Sequence, residues 1–150
     1  MDTVYKVTIG DDGTEKWFNE KGEFHRESGP AVIHSDGCKH WYKHGLLHRL
    51  DGPAVEYPNG TKLWFKDDNY HRVGGPACEY ASGDESWYEN GKLHRLDGPA
   101  IIHKTSNTRY WFVHGKQYTE KDFQKFICNT PSCDGKIVEI DGVTYKLTKV

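Results

Sequence analysis

Apolar and polar positions in this chain repeat on a long period. The tryptophans Trp17, Trp41, Trp64, Trp87 and Trp111 are spaced 24, 23, 23 and 24 residues apart. Each is followed by a second aromatic: Phe18, Tyr42, Phe65, Tyr88 and Phe112. A short apolar run such as "PAVEY" precedes each Trp from Trp41 onward. A polar turn ("SDG", "PNG", "ASG") separates run from Trp, and its Gly or Asn suits positive φ. Self-similarity on such a period marks a stacked repeat architecture. The phase predicts two strands per repeat, one through the "PAVEY" equivalents and one through Trp and its aromatic neighbour. "GxLHRxDGP" then returns the chain to the next hairpin, and Pro sits at the first residue of a strand, where a missing N–H is tolerated.

The pattern also places the ends. "VTIGDDG" overlays "AVIHSDG", so the N-terminus reads as half a repeat. After Trp111 the pattern decays, with Gly115 still in phase. "TEKDFQKFI" predicts a short helix from Thr119, with Thr119 and Asp122 as a capping box and Phe123, Phe126 and Ile127 on one face. "KIVEI-DG-VTYKLTKV" predicts a hairpin with Asp-Gly in its turn. The expected fold is mostly β: an elongated antiparallel sheet of about five β-hairpin repeats over 1–118. A helix and hairpin over 119–150 form the C-terminal cap that repeat arrays need, within one structural domain.

The period, the turn glycines and elements such as "YPNGTKLWF" and "ENGKLH" resemble the MORN repeat, in a variant form carrying "LHRxDGPA". The resemblance covers roughly residues 5 to 118. Trp-aromatic stands where Tyr-x-Gly is usual, and Gly-Pro-Ala replaces a second glycine. Such variants resemble proteins of bacteria and large bacteriophages. The resemblance implies assembly or binding rather than chemistry, and a cytoplasmic inhibitor of a host protein such as a defence nuclease.

The candidate binding residues follow from the copies. His-Arg pairs recur at His25-Arg26, His48-Arg49, His71-Arg72 and His94-Arg95, each 23 apart, and Gly-Pro-Ala follows each. Strands lie about 4.8 Å apart, so equivalent residues of successive hairpins stand about 10 Å apart, too far for the four His to share a metal. The bland reading of His-Arg is a reused turn, with Asp51 and Asp97 near Arg49 and Arg95. The functional reading is a cationic row, Arg49, Arg72 and Arg95, that would suit an acidic partner. The Trp column is expected in the core, with Val32, Val55, Cys78 and Ile101 between the rings. The column of Tyr42, Phe65, Tyr88 and Phe112 is expected on the other face as an aromatic binding stripe. The third repeat is the most individual, because Asp68 and Asn69 replace the usual Gly-x pair and Gly74 replaces Asp; Asp67 and Asp68 therefore join the candidates.

Composition narrows the function classes. The chain has 150 residues, net charge -2, five Trp and nine Tyr, and no long run of one sign. Non-specific duplex nucleic-acid binding is therefore not expected. The start "MDTVYKVTIGDDG" lacks the basic and apolar regions of a signal peptide, and no stretch is long and apolar enough to span a bilayer. Cys38, Cys78, Cys128 and Cys133 are then expected as thiols in a cytoplasm. "CNTPSC" is a zinc pattern lacking a second ligand pair, and no metal or cofactor is expected. No motif of hydrolase, P-loop, zincin or EF-hand type occurs, so an enzyme is not expected. The expectation is a protein-binding module, with exposed sheet edges allowing a homodimer. The alternatives are a small-molecule or nucleotide binder using the aromatic and His/Arg rows, and a scaffold or membrane-surface adaptor.

Overall fold

The computed structural model describes residues 5–129, 137–140 and 143–146, with side chains through Cys128. Cys133 and the Asp-Gly turn of the C-terminal hairpin lie outside the described residues. The chain forms two compact units, Met1–Gln117 and Tyr118–Val150.

The first unit opens with β1 (Lys6–Ile9) and β2 (Glu15–Phe18). The next repeat supplies β3 (Val32–Ile33), β4 (Lys39–His40), β5 (Tyr42–Lys43) and β6 (Leu46–Leu47). Its successor supplies β7 (Val55–Glu56), β8 (Lys62–Leu63), β9 (Phe65–Lys66) and β10 (Asn69–Tyr70). Then come β11 (Cys78–Glu79), β12 (Glu85–Ser86), β13 (Tyr88–Glu89) and β14 (Lys92–Leu93), followed by β15 (Ile101–His103), β16 (Thr108–Val113) and β17 (Lys116–Tyr118). β1, β2, β3, β4, β7, β8, β11, β12, β15, β16 and β17 make one 11-stranded sheet in that order. Its pairings are antiparallel, with registers such as Val55↔Leu63 and Cys78↔Ser86. The elongated sheet of hairpins expected from the sequence is what the chain builds.

From the second copy on, the repeats contain more than the two strands their pattern predicts. β5–β6, β9–β10 and β13–β14 are separate small hairpins that leave the main sheet. The departure occurs at Trp. Trp41 N–H donates to the Ala54 carbonyl of the next repeat at 2.8 Å, while the Trp41 carbonyl accepts from His48 N–H at 3.1 Å. Trp64 and Trp87 repeat both bonds. One peptide group thus serves two strand systems, and the chain bends there. The segment "GxL", expected as a return loop, is the second strand of the small hairpin.

The tight turns of these hairpins are set by backbone handedness. His44 and Gly45 have φ of 50° and 82°, Asn90 and Gly91 48° and 77°, and Asp67 and Asp68 50° and 60°. Positive φ at both central residues is the type I′ turn, whose twist matches that of the flanking strands. Successive small hairpins are then tied together: Gly45 N–H to Phe24 C=O at 2.9 Å, Asp68 N–H to Leu47 C=O at 3.0 Å, and Gly91 N–H to Tyr70 C=O at 3.0 Å.

A buried cluster of Cys38, Ala54, Val55, Leu63, Phe65 and Cys78 joins residues of the main sheet to the small hairpins, with Trp41, Leu47, Tyr70 and Tyr88 packed against it. Aromatic neighbours fill the gaps between equivalent positions. Phe65 and Tyr70 have ring centroids 4.2 Å apart, Tyr70 and Tyr88 5.0 Å, and Phe24 and Tyr42 5.2 Å. In two copies the residue before His-Arg, Phe24 or Tyr70, therefore sits between members of the Phe/Tyr column and shares their burial.

In the second unit, α1 spans Glu120–Asn129. The predicted cap is present: Asp122 N–H donates to Thr119 Oγ1 at 3.1 Å, and Thr119 Oγ1–H donates to Asp122 at 2.8 Å. Phe123 is buried, and Tyr118 packs on Phe126 with centroids 5.3 Å apart. β18 (Ile137–Ile140) and β19 (Val143–Lys146) form the expected antiparallel hairpin.

Candidate interaction surface

The recurring "HR…GPA" phrase has a structural job for each letter. Arg26, Arg49, Arg72 and Arg95 lie over the rings of Trp17, Trp41, Trp64 and Trp87 at 4.0, 4.2, 3.8 and 3.9 Å from the ring centroid. The quadrupole of the indole face attracts the guanidinium. Each Arg then donates from Nη1 to the Pro carbonyl four residues on: Pro30 and Pro53 at 3.2 Å, Pro76 at 3.0 Å and Pro99 at 3.3 Å. The Gly leaves space for that guanidinium, since a Cβ on Gly52 would lie 2.8 Å from Arg49 Cζ. The Ala is wholly buried in all four copies, Ala31, Ala54, Ala77 and Ala100.

The His of the phrase braces the type I′ turn of the next repeat. His25 Nδ1 accepts from His44 N–H at 3.1 Å, His71 Nδ1 from Asn90 N–H at 3.2 Å, and His94 Nδ1 from His114 N–H at 3.1 Å. His48 instead meets the Asp67 carboxylate at 2.7 Å. Burial, then the neighbouring imidazole, lowers the pKa of His25 and of His94. The rings of His25 and His44, and of His94 and His114, stack with centroids 4.4 and 4.2 Å apart.

The sequence-predicted site residues are thus placed as follows. Arg49 donates from Nε to Asp51 and from Nη1 to Glu56. Arg72 pairs with Glu79, and Arg95 with Asp97 at 2.7 Å. Asp67 and Asp68 are exposed at their turn, and Asp68 accepts from Leu47 N–H at 2.7 Å. The aromatic stripe expected on an open face is not open. Phe65 is only 8% exposed, and Tyr42, Tyr88 and Phe112 are half-buried, because the small hairpins turn this column inward. The Trp column, expected in the core, is buried to the same degree as the Phe/Tyr column. Trp64 alone is buried, and Trp17, Trp41, Trp87 and Trp111 are half-buried.

What the array exposes instead is the residue after each His-Arg pair. Leu50 is 77% exposed, Val73 87% and Leu96 50%. The sequence signal was available: an apolar residue in a polar loop, in phase in three copies. These tips border three adjoining clefts. The first, of about 750 Å³, lies between the loops of Arg26 and Arg49, with Trp41, Lys43 and His44 in its wall. The second, about 590 Å³, lies between the Arg49 and Arg72 loops with Trp64 and Lys66. The third, about 430 Å³, lies between the Arg72 and Arg95 loops with Trp87 and Glu89.

One group among the described residues, Glu89, His94 and His114, brings three metal-ligand atoms within 4.8 Å of one another. The hydrogen bonding works against that use. With Nδ1 of His94 accepting a backbone N–H, its proton belongs on Nε2, which faces Glu89 at 3.5 Å. A metal at Nε2 needs that lone pair free. The buried thiols are poor nucleophiles. Burial raises the pKa of Cys38, and burial pushes that of Cys78 up to about 11.

No protein-family model matches this chain, and no curated protein matches it.

Proposed function

We propose that the chain is a non-enzymatic protein-binding module whose contact surface is the row of His-Arg loops. The observation that carries this reading is the series of exposed apolar tips, Leu50, Val73 and Leu96, at the rims of adjoining clefts. Exposed apolar side chains repeated in register cost solubility and gain nothing for the core, whereas a partner can bury them. The His and Arg side chains that most resemble catalytic groups are already committed to holding turns and covering Trp. The resemblance to phage repeats makes a bacterial host protein, a defence nuclease among them, the first partner to try.

The test is affinity capture from a bacterial host lysate, comparing the native chain with a Leu50→Ser/Val73→Ser/Leu96→Ser variant. A specific partner retained by the native chain and lost from the variant supports the reading. Equal capture by both, or none by either, overturns it. A nucleotide binder is disfavoured by the arginines that already occupy the outer Trp faces, where a base would stack. A saturable thermal shift with a nucleotide would reverse that preference.

A further inference from the structure

The three clefts share residues but not charge. Arg49, Leu50 and Asp51 line the first two, and His71, Arg72 and Val73 the second and third, so the clefts run on from one another. In the first, Arg26 has no ion pair among the described residues, because Ser28 stands where Asp51 and Asp97 stand in other copies and Ile33 where Glu56 and Glu79 stand. Lys43 and Lys66 occupy the same phase of successive repeats, in the first and second clefts. Both are exposed, and neither makes an ion pair among the described residues. In the third cleft that phase holds Glu89, and both arginines are already matched, Arg72 by Glu79 and Arg95 by Asp97. Unmatched positive charge is therefore confined to the first two clefts, where Arg26, Lys43 and Lys66 outnumber the one unmatched carboxylate, Glu27.

The spacing is one that a polyproline II ligand matches. Two main-sheet strands per repeat put equivalent points about 10 Å apart. A polyproline II chain rises about 3.1 Å per residue with three residues per turn, so every third side chain returns to the same edge after about 9.3 Å. A β-strand needs an even number of residues to return a side chain to one face, and its steps of about 6.6 or 13 Å miss the interval.

We propose that the first two clefts form a docking groove for an acidic polyproline II segment of a partner protein. Its acidic side chains meet Arg26, Lys43 and Lys66, and its apolar side chains cover Leu50 and Val73. The inference rests on the protein-binding reading above and gives that partner its chemistry. Single-stranded nucleic acid would also bring negative charge at intervals. It needs free aromatic faces for its bases, and here guanidinium groups lie on Trp41 and Trp64.

The test is fluorescence anisotropy on the intact chain with a labelled peptide of repeated Glu-Pro-Leu triplets. A Lys-Pro-Leu peptide and oligothymidylate serve as comparators. Saturable, salt-sensitive binding of the acidic peptide is expected, weakened about tenfold by Lys43→Glu/Lys66→Glu and by Leu50→Ser/Val73→Ser. Lys43→Gln/Lys66→Gln should weaken it less, and Leu96→Ser should leave it near the native value. The substituted side chains are exposed, and melting curves check that each variant folds. No binding of the acidic peptide, indifference to the charge changes, or preference for either comparator overturns the proposal. If a lysate partner is lost from the Leu50/Val73/Leu96 variant while the acidic peptide fails to bind, the polyproline inference falls and the protein-binding reading stands.

Discussion

At the scale of single residues, the arginine of each repeat is a structural cation. It covers a Trp face, satisfies a Pro carbonyl and, in three copies, meets a carboxylate. The glycine beneath it is required by closeness, and the closeness is graded. A Cβ would come 2.8 Å from the guanidinium carbon at Gly52, 3.0 Å at Gly75, 3.2 Å at Gly98 and 3.4 Å at Gly29. Gly→Ala substitutions should destabilise in that order, from about 1–2 kcal/mol at Gly52, where the stack and its hydrogen bonds are displaced, to about zero at Gly29, where the contact is an ordinary one. Urea midpoints read this ranking, and a flat series would refute it. The histidines give a second prediction. His25 and His94 have pKa values lowered from 6.5, so the unfolded chain binds their protons more readily. Stability is then whole above 6.5 and falls as pH drops through 6.5 toward the lowered folded value. The charges that face them are His44, Glu27, Lys43 and Glu23 around His25, and His114 and Glu89 around His94. His25→Asn/His94→Asn keeps an acceptor for the turn N–H and removes the titration. The fall in melting temperature from pH 7.5 to 5.5 should shrink in this variant relative to the native chain.

At the scale of elements, the small hairpins decide which side chains are interior. Their type I′ turns hold non-glycine residues at positive φ, an arrangement that Asn, Asp and His accept and β-branched residues do not. Asn90→Val, at φ 48°, should cost about 1–2 kcal/mol even though its backbone bond to His71 does not involve the side chain. Lys92→Val in the adjacent strand β14 is the control and should change stability little. Equal costs at the two positions would mean that handedness is not what matters at this turn.

At the scale of the whole molecule, stability in a stacked array is close to a sum of units and of contacts between neighbours. Excision of residues 54–76 joins Pro53 directly to Ala77, the equivalent of Ala54, and removes one full period. The shortened chain should fold, because the backbone bonds between repeats, such as Trp41 N–H to Ala54 C=O and Asp68 N–H to Leu47 C=O, find equivalent partners in Ala77 and Gly91. It should melt lower, because Val55, Leu63 and Phe65 leave the core cluster. Circular dichroism melts decide it, and a chain unable to fold would contradict a repeat-by-repeat construction. The same construction leaves the loop tips as the part of each copy that faces outward, and the lysate capture and peptide binding experiments test what they meet.

The period, the main-sheet hairpins and their turn glycines, the helix capped by Thr119 and the C-terminal hairpin are all legible in the chain before it folds. These depend on local propensity and on a repeat visible within one chain. Also legible is that the four ladder histidines are too far apart to gather on one metal, since strand spacing is fixed by hydrogen-bond length. Tertiary pairing, by contrast, set the burial of the aromatic columns, which is shared: Trp64 and Phe65 are buried and the other members are half-buried. The bend at Trp exists because its N–H and C=O pair with strands contributed by different segments, and periodicity carries no record of such pairing. That bend turns Phe65 inward, leaves the Trp faces to be covered by arginine, and brings Leu50, Val73 and Leu96 to the surface.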